Sequence, residues 1–156
     1  MFSYRHAFHA GNHADVLKHA TLIAILNHML EKDAALTVID THAGAGLYRL
    51  DGDYAQTSGE SVDGVKKLIE GKKTLLAGVK IASAATKTVA KTAPSTPATP
   101  VELAPLLQNY LDVIAEFNKG GSSRVYPGSP FMMAQLLRDH DKLKLFELHP
   151  TDAKTV

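Results

Sequence analysis

The sequence predicts an α/β fold with a helical excursion inside it, on three observations. An amphipathic helical pattern beginning at Asn12 leads into a short apolar run, Leu36 to Ile39. That run ends at a carboxylate and opens into small residues, in the stretch VIDTHAGAG from Val38 to Gly46. Long helical patterning follows before an extended run returns at Lys142 to Leu148. Helix, strand, helical insertion, helix, strand is the opening of an α/β domain.

Each element has a local cause. Asn12 opens the first helix, with Asp15 three residues later as an acidic variant of the capping box. Val16, His19, Ile23, Leu26 and Leu30 then recur at spacings of three and four, one stripe of a helix. His19 lies on that stripe, whereas Lys18 is rotated about 100° from it. Glu31-Lys32-Asp33 ends the helix, and Leu36 to Ile39 reads as a strand buried on both faces. Thr57 with Glu60 resembles a second capping box, followed by Val62, Val65 and Leu68 and a stop near Gly71. Residues 72–100 are rich in Ala, Thr, Lys and Pro and read as a mobile, partly helical insertion. Leu106, Tyr110, Ile114 and Phe117 mark one face of a helix from Leu103 to Asn118, stopped by Gly120-Gly121. Val125 to Gly128 is extended or turning, and Ser129 caps a helix with Pro130 at its first position that runs to about Asp139. The final strand leaves Glu147 close to its carboxyl end. The division that follows is residues 1–50 for the first helix, strand and glycine loop, 51–121 for the insertion with its low-complexity segment 72–100, and 122–156 for the resumed domain.

Bulk properties narrow the class. At 156 residues, 45% hydrophobic and 21% charged, the chain has the composition of one globular domain. It has no cysteine, so disulfides and thiolate metal sites are excluded. No segment approaches 18 apolar residues and the start carries no signal-peptide core, so the expectation is a soluble, cytoplasmic protein with no membrane partner. The net charge of +1 says little, but five lysines and no acidic residue lie between Lys72 and Pro100. His6, His9, His13 and His19 could ligate a metal on a continuous helix, yet Gly11 interrupts the run, and no metal is expected.

A strand that runs into a glycine loop is where α/β sheets take nucleotide-like ligands, because the crevice lies at the carboxyl ends of the strands. Gly44 and Gly46 remove Cβ atoms that would block a ligand and permit positive φ. Glu147 is placed as the acceptor for a ribose diol. A Gly-x-Gly pair is equally an ordinary turn. The loop lacks the dinucleotide fingerprint, with His42 where glycine belongs, and it lacks the Gly-Lys-Ser/Thr ending of a P-loop. A nucleoside without a diphosphate fits better, and S-adenosylmethionine is one such ligand.

Four blocks in order, FSYRHAFHAGNHADVLKH, DTHAGAG, YPGSP and ELHP, resemble the RlmJ family, methyltransferases of bacterial large-subunit ribosomal RNA that modify the exocyclic amine of an adenine. The similarity is close over residues 1–50, good over 101–152 and poor over 72–100. It implies a Rossmann-like S-adenosylmethionine-dependent methyltransferase fold, incomplete here, with an inserted helical subdomain. It implies that His19, His42, Ser129 and Glu147 contact S-adenosyl-L-methionine, that Tyr4 meets the RNA, and that His6 and Lys18 support substrate binding. The implied partner is large-subunit ribosomal RNA, protein-free or partly assembled, bound by a monomer. Each residue also has a plainer reading: a core histidine for His19, an N-cap for Ser129, a solvated carboxylate for Glu147, a frayed terminus for Tyr4 to His6.

An adenine amine needs an acceptor for its proton, which this family places in an Asp-Pro-Pro-aromatic motif. No Pro-Pro pair occurs in this sequence. The expectation is an amino-terminal, cofactor-binding part of a methyltransferase with no catalytic residue of its own, inactive alone. The alternative is a non-catalytic RNA-binding remnant.

Overall fold

The computed structural model describes residues 5–75, 103–120 and 122–156. Tyr4 and most of the lysine-rich segment 72–100 therefore lie outside the described residues. Helix α1 (His13–Leu30) starts as read, with the Asn12 side chain accepting the Asp15 amide at 2.9 Å. Its buried face holds His19, Ala20, Ile23 and Leu26, and also a carboxylate, Asp15.

Strand β1 (Thr37–Asp40) pairs in parallel with β4 (Lys142–Leu145), Val38 opposite Leu143 and Asp40 opposite Leu145. The register has a local anchor. Asp141 accepts the Leu36 amide at 2.8 Å, and the Arg138 guanidinium, paired with Asp141, donates to the Lys32 and Ala34 carbonyls at 2.8 and 3.0 Å. A second pair, β2 (Leu47–Arg49) with β3 (Val125–Pro127), is antiparallel and sets Tyr48 opposite Tyr126. Between them come α2 (Asp53–Ser58), α3 (residues 60–75) and α4 (Pro105–Glu116); α5 (Ser129–Leu136) follows β3.

The core sits among helices rather than around the parallel strands. Ile23, Leu50, Val65, Tyr110, Leu111, Ile114, Tyr126 and Met132 form one buried cluster, with α1 packed on α3, α4 and α5. Helix α3 breaks at Gly64 (φ −102°, ψ −116°), where a side chain would run into the Gly11 and Asn12 backbone. The Val65 amide donates to the Gly11 carbonyl at 2.8 Å there, so the glycine lets two chain segments touch.

Several local expectations are corrected. Strand β1 is not buried on both faces: Ile39 and, beyond β4, Phe146 are 56% and 57% exposed, because among the described residues β1 has one strand neighbour and a largely uncovered face. Leu17 and Ile25 of α1 are similarly exposed. Thr57 does not cap a helix; its hydroxyl donates to the Asp53 carbonyl, and Glu60 accepts from His9 and Asn12 instead. Gly71 does not stop α3, which continues to residue 75. Ser129 is not the N-cap of α5. That position belongs to extended Gly128 (φ −79°, ψ 177°), because the serine hydroxyl is drawn to Asp40. Among the described residues no helix is long and apolar enough to cross a membrane.

Candidate functional site

A cleft of about 310 Å³ opens where β1 and β4 end. The turn after β1 supplies His42, Ala43 and Gly44, and the chain after β4 supplies Glu147, His149 and Asp152. Lys18 and His19 come from α1, Gly128 and Ser129 from the start of α5, and His6 and Tyr48 complete the wall. His19, His42, Ser129 and Glu147, read from the sequence as one ligand set, are thus brought into one cavity along with His6 and Lys18. Tyr4 falls outside the described residues.

The glycine turn is built for inward packing. Gly44 and Gly46 take φ of +65° and +78°. A Cβ on Gly44 would strike the Tyr48 hydroxyl, and one on Gly46 would strike the Phe131 ring. The Tyr48 hydroxyl accepts the Ala45 amide at 3.1 Å, and burial pushes its pKa up to about 12, so it stays a neutral phenol. The vacant Cβ positions are therefore filled by the protein's own side chains, not left open to a ligand.

Glu147 closes the turn from the other strand. Its two oxygens accept the His149 amide at 2.6 Å and the Gly44 amide at 2.7 Å. The bond from His149 is the largest influence on its acidity. Together with the bonds from Gly44 and Leu148 it outweighs burial and holds the carboxyl below its ordinary value. Each oxygen of an ionised carboxylate keeps further lone-pair capacity, so the bound amides leave room for a diol.

Asp40, the last residue of β1, had no role in the sequence reading beyond ending the strand. It accepts the Ser129 hydroxyl at 2.6 Å and the His42 amide at 3.0 Å, tying α5 to the turn. Its position at the strand end was the available signal. Asp15 was missed outright, read only as a capping acid. It is 2% exposed and accepts from His6 Nε2 (2.8 Å), Lys18 Nζ (2.8 Å) and the Gly11 amide (3.0 Å). Burial would raise its pKa, but the hydrogen bond and charge of His6 and the bond from Lys18 hold it well below the usual carboxylate range. One buried anion therefore holds His6 and Lys18 together at the cleft. The signal was an acid four residues before His19, on the same helix face.

His19 is 1% exposed, with Nδ1 at 2.7 Å from the Tyr126 hydroxyl, and burial lowers its pKa to about 4. The other histidines of the opening block go elsewhere, His6 to Asp15 and His9 to Glu60. Among the described residues no group of three or more His, Asp or Glu could hold a metal ion.

A cleft at the carboxyl ends of parallel strands, with a glycine turn on one side and a carboxylate on the other, defines the ligand position of a mixed α/β domain. Comparison with known proteins narrows that class to one family. The family model described as RsmJ, Ribosomal RNA large subunit methyltransferase D, RlmJ, matches residues 33–79 and 99–156, and the chain belongs to that family. Ribosomal RNA large subunit methyltransferase J of Escherichia coli (strain K12) is 38% identical over 152 residues, and its Haemophilus influenzae counterpart 35% over 153. Each alignment takes in 97% of this chain but 44% of the relative, so the chain spans less than half their length. A crystal structure of a DUF519 protein from Legionella pneumophila str. Philadelphia 1 has a TM-score of 0.70 at 29% identity, over 94% of this chain and 43% of that one. The break in the family match, between residues 79 and 99, falls inside the low-complexity stretch.

Proposed function

We propose that this chain is the cofactor-binding part of a Rossmann-like, S-adenosylmethionine-dependent methyltransferase acting on the exocyclic amine of an adenine in large-subunit ribosomal RNA. One observation carries the reading. His19, His42, Ser129 and Glu147 come from four separate stretches of sequence and line a single cleft of about 310 Å³, a size suited to a small molecule.

The donors and acceptors of the cleft fit an adenosyl amino acid. Glu147 is an ionised acceptor suited to the ribose diol, and the start of α5, where helix amides lack internal partners, suits an amino-acid carboxylate. Bound S-adenosylmethionine would supply a methyl group already activated by its sulfonium. The chain's own task is to hold that ligand and to meet the RNA beside it. The Asp15-anchored Lys18 offers a cation to phosphate with His6 beside it, and Tyr4 a ring on which an unpaired base can stack. The substrate is RNA that is protein-free or partly assembled, since the base must be unstacked to be reached.

No Pro-Pro pair occurs among these 156 residues, so no catalytic proton acceptor is assigned to them. The polypeptide alone binds cofactor without turnover. Calorimetric titration of S-adenosylmethionine into the chain and into its Glu147→Gln variant tests the reading. Binding that weakens about tenfold or more in the variant supports it, as expected for loss of hydrogen bonds to a charged group. Equal binding by both, or none by a chain that melts cooperatively, refutes it.

A further inference from the structure

We infer that Tyr110 and Tyr126 fix His19 in the tautomer that carries its proton on Nε2, so that the cleft is presented with a permanent N–H donor for an anionic oxygen of its ligand. The identity of that ligand rests on the proposed function. The proton order does not, because it follows from buried geometry.

Three groups stand in a row. The Tyr110 hydroxyl lies 3.1 Å from the Tyr126 hydroxyl, which lies 2.7 Å from His19 Nδ1. Both tyrosines are 0% exposed and His19 is 1% exposed. Among the described residues Tyr110 has its hydroxyl bond with Tyr126 alone, and Tyr126 has Tyr110 and His19. A phenol has one proton to give, and a buried O–H without an acceptor is costly.

The possible proton orders can be enumerated. If Tyr110 donates to Tyr126 and Tyr126 donates to Nδ1, every proton in the row has an acceptor, and the ring proton must sit on Nε2. If instead Nδ1–H donates to Tyr126, then one of the two phenols keeps a buried proton with nowhere to go. That order is less populated by roughly tenfold or more. A doubly protonated ring suffers the same defect. It is opposed first by burial, which lowers the His19 pKa to about 4, with Lys18 and His6 acting in the same direction and Asp15 and Asp40 opposing them. Burial likewise raises the pKa of both phenols, so their protons are present to be placed.

Nδ1 is committed to Tyr126, which leaves Nε2 as the ring nitrogen that His19 has to offer the cleft it lines. This changes the division of labour at the site. The Ser129 hydroxyl already donates to Asp40 at 2.6 Å, so its proton is not offered to a ligand. Of these two, His19 is then the side-chain donor to a ligand carboxylate, and Ser129 acts through Asp40. In the cofactor reading that oxygen belongs to the amino-acid carboxylate of S-adenosylmethionine. Neither tyrosine lines the cleft, so both are positioning residues.

The test is a long-range proton–nitrogen NMR spectrum of the full chain labelled with 15N-histidine, at neutral pH, with His19 assigned from a His19→Gln sample. The expected pattern is a single neutral tautomer, protonated at Nε2, retained in Tyr110→Phe because Tyr126 still donates to Nδ1. In Tyr126→Phe the Nδ1 resonance moves toward that of a free acceptor, and affinity for S-adenosylmethionine falls by about three- to tenfold, the worth of one hydrogen bond. A wild-type ring protonated at Nδ1 overturns the inference without any variant. So does a folded Tyr126→Phe protein whose His19 nitrogens are unmoved. Should the tautomer be as expected while wild-type protein binds no S-adenosylmethionine, the proton order stands and the proposed function falls.

Discussion

Lowering the pH from about 7 to about 4 should charge His19 in the unfolded chain long before it does so in the folded one. The ring is 1% exposed, and burial takes its pKa from 6.5 to about 4. Between those values the unfolded chain holds a proton that the folded chain refuses. Stability is therefore complete above 6.5, falls as pH drops through the window, and levels off below about 4. A gap of about 2.5 units at 1.36 kcal/mol per unit is a loss of about 3 kcal/mol, a large share of the roughly 5–15 kcal/mol that holds a domain together. Urea unfolding at steps of pH, on the wild type and on His19→Gln, measures it, because the difference between the two curves removes the carboxylates common to both. The wild type should lose about 3 kcal/mol more than the variant across the window. Parallel curves would mean that His19 is neither buried nor neutral in the folded chain.

Other expectations follow from the same site. Asp15→Asn should cost about 2 kcal/mol in urea unfolding and weaken RNA binding, because His6 and Lys18 lose the anion that holds them together. Asp15 has a folded pKa depressed below 3.8, so its contribution is present above that value and is lost as pH falls beneath it. The variant's acid limb should accordingly be flatter, and an unchanged limb would count against the buried ion cluster. Gly44→Ala should destabilise by about 2 kcal/mol, roughly half from the left-handed backbone and half from the displaced Tyr48 hydroxyl. Gly59→Ala, at φ +69° with open space around it, should cost only about 1 kcal/mol by the same denaturation assay. Equal losses at the two glycines would show that Tyr48 does not pack where described. Ser129→Ala should lower S-adenosylmethionine affinity by about threefold, less than Glu147→Gln, since it acts only by loosening Asp40; calorimetry ranks the two.

Much of this protein was legible because its signals are local. Asn12 caps α1 through one side chain and one amide, and the α1 stripe depends on helical periodicity alone. The two strands β1 and β4 were read from their local patterns though not their pairing, and the positive φ of Gly44 and Gly46 from their identity. The convergence of His19, His42, Ser129 and Glu147 was read only through the RlmJ-like blocks, since no periodicity relates residues so far apart. Short local patterns failed where a stronger distant partner existed. Ser129 gave up its cap for Asp40, 89 positions away, and Glu60 left its capping box for His9 and Asn12.

Taken by itself, the sequence placed α1, β1, α4, α5 and β4, the glycines of the turn and the family the blocks resemble, since those depend on neighbours along the chain; β2 and α2 went unread. Tertiary structure alone decided that Asp15 is a buried hub, that Tyr48 and Phe131 occupy the space beside the glycines, and that Tyr110 and Tyr126 line up behind His19. The reason is physical. A carboxylate, phenol or imidazole is directed by whichever partner burial brings within hydrogen-bond reach, and which partner arrives is settled only when distant segments pack.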